Sequence, residues 1–129
     1  MGVELPQSIK DMVDEKMMVF IATTLDDGAS HVTAMWIDRD GDNLLFSTVL
    51  GRVKANNLQR DARVSISFVA AGDAYHNVTM QGRVVETDTN GKWLINQLAK
   101  KYLDLDEYPW TQEGEVRLNC TVEIDSFSG

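Results

Sequence analysis

The sequence has 129 residues, 43% of them hydrophobic, which suits one domain over residues 1–129 with a buried core. Its 12 Lys and Arg against 20 Asp and Glu give a net charge of −8, which disfavours non-specific nucleic-acid binding and attraction to an anionic membrane. It has no apolar run of the roughly 18 residues that span a bilayer, and its start, MGVELPQSIKDMVDEK, lacks the basic end and apolar stretch of a secretory signal.

Met1-Gly2 opens like a myristoylation site, but the Ser or Thr that the pattern needs at its sixth position is Pro6. The one cysteine, Cys120, allows no internal disulfide, and a cytoplasmic location is the default expectation. Residues 5–17 read as a short amphipathic helix. Pro6 suits its first turn, and Ile9, Met12, Val13 and Met17 recur at helical spacing. The nearly continuous apolar run MVFIATTL (18–25) reads as a buried strand, and Asp26-Asp27-Gly28 as a turn. HVTAMWID (31–38) alternates, with Val32, Ala34 and Trp36 on one face and Thr33, Met35 and Ile37 on the other. A hairpin turn at Asp40-Gly41 leads into LLFSTVL (44–50), so residues 18–50 read as a three-stranded meander.

Residues 52–60 change to a helical period after Gly51. ARVSISFVA (62–70) returns to alternation, with Val64, Ile66 and Phe68 against Ser65, Ser67 and Val69. Residues 75–88 form a long strand in which Gly82 signals a bulge or a close backbone approach. A helix follows over 89–103, with Leu94, Leu98 and Tyr102 on one face, Trp93 packing it onto the sheet, and Lys100 and Lys101 near its C-terminus. An acidic loop (104–114) carries Tyr108 and Trp110, which either cap a pocket or pack on the surface. The last strand (116–125) places Val116, Leu118, Cys120, Val122 and Ile124 on one face, with Cys120 an inert core residue. Six strands joined mostly by short turns make a mainly β, antiparallel sheet, and closure into a barrel hides its edges.

Within this acidic chain, STVLGRVKANNLQRD (47–61) and Arg63 collect four cations. Ser47, Thr48, Arg52 and Lys54 around a helix start have the parts of an anion site, with Lys54 at an exposed first turn. Spacing alone leaves a second reading open, in which Arg52, Lys54, Arg60 and Arg63 lie on the surface and pair with carboxylates. The GxxxxGK[ST] order of a nucleotide P-loop is missing. His31 and His76 lack the paired spacing of a zinc site, so no metal is expected.

The stretch FIATTLDDGASHVTAMWIDRDGDNLLFSTVLGRVKANNLQRDARVSISF, with VTMQGRVVE downstream, resembles the pyridoxamine 5′-phosphate oxidase-like superfamily of FMN-binding split β-barrels. It is most similar to the branch of small oxidoreductases that use the deazaflavin coenzyme F420, and the likeness runs from Leu5 to Phe127. The resemblance implies a six-stranded split barrel that forms a two-fold homodimer with two cofactor sites at the subunit interface. Arg52 and Lys54 would hold the cofactor phosphate, with Ser47 and Thr48 as hydroxyl donors. The strand at Thr33, Met35 and Trp36 would run beside the tricyclic ring. Many relatives have Pro-Val-Trp where this chain has Ala34-Met35-Trp36. Tyr75 and Asn77 would reach the cofactor held mainly by the other subunit.

Pyridoxamine-phosphate oxidases proper have adjacent Arg-Lys and further C-terminal residues. Here the segment is Arg52-Val53-Lys54 and the sequence stops at Gly129, which disfavours vitamin B6 oxidation. The implied function is hydride transfer from reduced F420 to a small unsaturated organic substrate. The alternatives are an FMN-dependent reductase or oxidase, and a non-catalytic flavin, F420 or haem binding protein. For F420, whose tail is polyanionic, some of Arg52, Lys54, Arg60, Arg63, Lys100 and Lys101 would line a groove leading from the phosphate.

Overall fold

The structure is a computed structural model that describes residues 2–129. In chain order the elements are α1 (Gln7–Asp14), β1 (Val19–Thr24), β2 (Ser30–Met35), β3 (Asp38–Asp40), β4 (Asn43–Val49), α2 (Val53–Arg60), β5 (Arg63–Val69), β6 (Asn77–Asp88), α3 (Trp93–Leu103) and β7 (Arg117–Ser128). All seven strands belong to one antiparallel sheet in the order β2-β1-β5-β6-β7-β4-β3. The expected strand count of six becomes seven because the second predicted strand breaks after Met35.

That break also overturns the expected meander over 18–50. β2 pairs with β1 and β3 pairs with β4, but β2 and β4 are not neighbours. β2 and β3 stand at opposite edges of the sheet, yet only Trp36 and Ile37 separate them in sequence. The three Cα–Cα steps from Met35 to Asp38 reach at most about 11 Å even when fully extended, so the sheet must roll until its edges meet. The result is a split β-barrel.

The barrel core follows from the period-two pattern. Val64, Ile66 and Phe68 point inward from β5, and they meet Ile21, Phe46, Met80, Val122 and Ile124 from the neighbouring strands. Ile9 and Val13 of α1 join the same core. β1 departs from the expectation of a buried strand. Its inward residues Val19, Ile21 and Thr23 are buried, while Phe20 is 51% exposed on the outer face. β4 is buried on both faces: Leu44 and Phe46 enter the barrel, and Leu45 packs under Leu94, Ile95 and Leu98 of α3. Trp93 does not pack α3 onto the sheet as expected. It is 45% exposed, and its tie to the sheet is a hydrogen bond, Nε1 donating to Asp88 at the end of β6. Val116 lies just before β7 and is exposed, unlike the other residues assigned to its face.

Gly82 lies where the β6–β7 register shifts, and a Cβ added there would collide with the Glu123 carbonyl oxygen. Both readings of that glycine therefore hold at once: the strand bulges, and two backbones approach closely. Gly82→Ala is expected to lower unfolding stability by about 1–3 kcal/mol, because backbone rather than a flexible side chain must move. Urea denaturation reads this directly, and an unchanged midpoint would contradict the packing described.

Candidate functional site

A cavity of about 580 Å³ opens between β2, the end of β4, the start of α2, and α3. The turn that delivers α2 to it depends on Gly51, whose φ of 92° lies in the left-handed region that glycine adopts without strain. Seven of the nine predicted site residues line the cavity: Thr33, Met35 and Trp36 from β2 and its exit, Ser47 and Thr48 from β4, and Arg52 and Lys54 from the turn and first turn of α2. Tyr75 and Asn77 do not. Tyr75 is 95% exposed in the turn before β6, and neither residue reaches this cavity in the same chain.

The basic cluster divides in two. Arg60 pairs with Asp26 at 3.0 Å and Arg63 with Asp61 at 2.7 Å, so these two follow the surface reading. Lys100 pairs with Asp104, and Lys101 donates to the backbone oxygens of Val13 and Ile37. Of the six cations considered for a tail groove, only Arg52 and Lys54 line the cavity. Arg52 is half-exposed and reaches Glu115 at 3.4 Å.

Lys54 is the anomaly of the site. It is only 6% exposed, against the expectation of an exposed helix start. Its Nζ donates to the Met35 sulfur at 3.0 Å, and among the described residues no carboxylate pairs with it. A thioether is a weak acceptor, so a cation with three donors is poorly satisfied. Burial, followed by the neighbouring Arg52 charge, holds its pKa below the ordinary lysine value. The first N–H groups of α2 add to this: helix-start donors have no intrahelical partner, and Arg52 at the N-cap supplies no side-chain cap. Such an arrangement attracts an anion with several acceptor oxygens.

Residues that sequence reasoning did not assign complete the walls. His31, Ala34, Ile95, Leu98 and Arg117 line the cavity, and Tyr108 joins them. Tyr108 therefore takes the pocket role left open for it. Trp110 packs edge-on against Tyr108 with centroids 5.6 Å apart and stays outside the cavity. Trp36 stacks on Tyr102 at 5.0 Å and meets Tyr108 edge-on at 5.9 Å. Arg117 lies over the Tyr108 ring at 4.9 Å and pairs with Glu115 at 3.2 Å. The signal for Arg117 was present in the last strand. Leu118 and Cys120 pack in the core, and antiparallel pairing with β4 sets Arg117 opposite Val49, beside the basic turn.

Among the described residues, four buried side-chain polar atoms lack a partner. Three of them, His31 Nδ1, Thr33 Oγ1 and Arg117 Nε, belong to residues lining this cavity. Unpartnered buried polar groups are rare in folded proteins, so their collection at one cavity points to a ligand that supplies the missing partners. Cys120 has no comparable role. It is buried in the barrel core, and burial pushes its thiol up to about 12.

An antiparallel sheet rolled edge to edge beside a cationic, aromatic-walled cavity defines a split β-barrel with a side pocket. The chain belongs to the pyridoxamine 5′-phosphate oxidase family, whose profile matches residues 5–124. Among solved structures it is similar to an F420 reductase, with a TM-score of 0.84 and 23% identity over 96% of this chain and 98% of that one. It is also similar to a conserved hypothetical protein of Mycobacterium tuberculosis (TM-score 0.73, 24% identity, 98% of this chain and 84% of that one). The haem storage protein HutZ of Vibrio cholerae matches with a TM-score of 0.69 and 17% identity over 98% of this chain and 94% of that one. Identities this low establish a shared fold. No curated protein sequence matches the chain significantly.

A base whose folded pKa is depressed binds more protons when unfolded, so its presence makes stability rise with pH between the folded value and the ordinary 10.5. Lys54→Met is therefore expected to stabilise the ligand-free protein at neutral pH by on the order of 1 kcal/mol. Its advantage over the wild type should shrink as pH rises towards 10.5. Denaturant titrations of both proteins across that range test this, and a Met variant less stable than wild type at neutral pH would refute it.

Proposed function

We propose that the protein is a cytoplasmic oxidoreductase that binds a phosphorylated flavin-type cofactor in this cavity, reduced coenzyme F420 before FMN, and serves hydride transfer to a small unsaturated organic substrate. The observation that carries the reading is Lys54, a buried cation with no carboxylate partner among the described residues, at an uncapped helix start. Lys54 and Arg52 hold the phosphate, Thr48 adds a hydroxyl, and the helix start adds N–H donors. Ser47 is already committed in part, since its Oγ donates to Asn119 Oδ1 at 3.3 Å. Thr33, Met35 and Trp36 flank the ring. When bound, the reduced deazaflavin supplies the hydride, and the residues around it orient and shield it. The family assignment and the fold shared with an F420 reductase support the reading.

The same proposal includes a homodimer. Val32 on β2 pairs in register with Ala22, and Ala34 with Phe20, so these apolar and small residues share one outward face of the sheet. Phe20 and Val32 are 51% and 56% exposed there, an uncovered apolar surface that a second copy would bury. Tyr75 and Asn77, remote from their own cavity, are then available to the partner's. Light scattering is expected to give twice the chain mass for the wild type and a monomer for Phe20→Asp. A monomeric wild type at micromolar concentration would count against it.

The decisive measurement is a titration with F420, FMN and haem. Tight F420 binding that weakens as salt rises, and that Lys54→Ala weakens by about tenfold to a hundredfold, is the expected result. Binding of FMN with none of F420 would reassign the cofactor. A haem-binding reading draws on His31, whose unpartnered Nδ1 sits in a cavity-lining residue. A Soret band lost in His31→Ala, without flavin or deazaflavin binding, would favour it.

A further inference from the structure

Arg117 is as buried as Lys54, at 6% exposure, and it too lines the cavity. A guanidinium carries five N–H donors. Of these, one engages Glu115 Oε2 at 3.2 Å, and Nε is buried without a partner. Glu115 holds Arg52 with its other oxygen, so one carboxylate serves two arginines. Around the cavity, three cations (Arg52, Lys54 and Arg117) face this single carboxylate, which leaves two positive charges.

That excess limits what the cavity accepts. At the phosphate itself, a phosphodiester, as in F420, carries one negative charge and leaves one positive charge over. A phosphomonoester dianion, as in FMN, would leave none. The leftover charge has a place: Arg117 lies over Tyr108, on the aromatic side of the cavity, where Tyr108 meets Trp36. A planar guanidinium fits a carboxylate bidentately, and aromatic walls favour a flat molecule. We propose that Arg117, fixed by Glu115 and Tyr108, is the subsite for the carboxylate of a planar, unsaturated monocarboxylate substrate, separate from the phosphate position at Lys54. The proposal deepens the oxidoreductase reading and rests on it for the second ligand.

The test uses the protein loaded with whichever of F420 or FMN it binds, and trans-cinnamate and the neutral trans-cinnamamide as probes in calorimetric titrations. With F420 bound, wild type is expected to prefer cinnamate by about tenfold or more. Arg117→Met should erase that preference and Arg117→Lys should keep part of it, each measured at saturating cofactor. Thermal melting confirms that both variants are folded, and the Lys variant keeps a cation beside Glu115. Equal binding of the two probes by wild type, or a preference that survives Arg117→Met, would overturn the proposal. So would a loss of affinity for F420 in Arg117→Met that its tail-less phosphate-bearing precursor does not share, which would assign Arg117 to the coenzyme's acidic tail. Failure to bind either cofactor would sink the oxidoreductase reading instead. The same probes on the bare protein would then still decide Arg117, with a cinnamate preference lost in Arg117→Met supporting the subsite and none refuting it.

Discussion

The break at Trp36-Ile37 is the constraint on which the rest of the structure depends. There the chain leaves one edge of the sheet and joins the other, so the backbone of Ile37 loses its ladder partners. Two adjacent residues of α3 replace them. The Ile37 N–H donates to the Tyr102 hydroxyl at 3.1 Å, and Lys101 Nζ donates to the Ile37 carbonyl at 2.7 Å. Tyr102 in turn donates to the Met17 carbonyl at 2.6 Å, which ties the entry of β1 to the same point. Leaving such buried groups unmade costs about 1–3 kcal/mol each, so α3 secures the closure as well as packing on it. Burial lowers the Lys101 pKa and raises that of Tyr102.

The cavity is a consequence of that closure. Ile37 turns into the core, and Trp36 is left to stack on Tyr102, which sets an aromatic wall at the end of β2. β4 passes beneath, buried on both faces, and carries Ser47 and Thr48 to the turn that starts α2. The barrel thus supplies rigid elements around the cavity, while the cavity itself keeps an unpaired lysine and three unpartnered polar atoms. Those groups oppose stability in the ligand-free chain. Their retention in one place is the pattern expected of a functional site held by a scaffold that is stable enough to carry it.

Much of the fold was legible because it follows from short-range periodicity. β5 alternates as its letters do, and Gly82 marks the bulge because no side chain fits against Glu123. The breaks in legibility have physical causes. MVFIATTL reads as fully buried because its outer residues, Met18 and Phe20, are as apolar as its inner ones. No Pro or Gly announces the break at Trp36-Ile37, since barrel closure and contacts to α3, more than 60 residues away, impose it. The burial of Lys54 was in fact encoded. It lies four residues before Leu58, on the inward face of α2, but its residue type argued for the surface and concealed the spacing. Arg117 was concealed in the same way, by a strand whose two faces are both covered where it begins.

The net charge of −8 and the proposed anion site are reconciled by distance. Arg60, Arg63, Lys10, Arg39, Arg83 and Lys100 are each matched to an aspartate or glutamate at the surface. Those pairs, and the surplus carboxylates beyond them, act through solvent, where charges are screened over about 10 Å at 0.1 M salt. Lys54 and Arg117 act at contact distance and away from water, where an ion feels less screening and each hydrogen bond to a charge is stronger. For the proposed anionic ligand, the acidic surface would therefore bear on how often it reaches the protein, and the cavity on how long it stays.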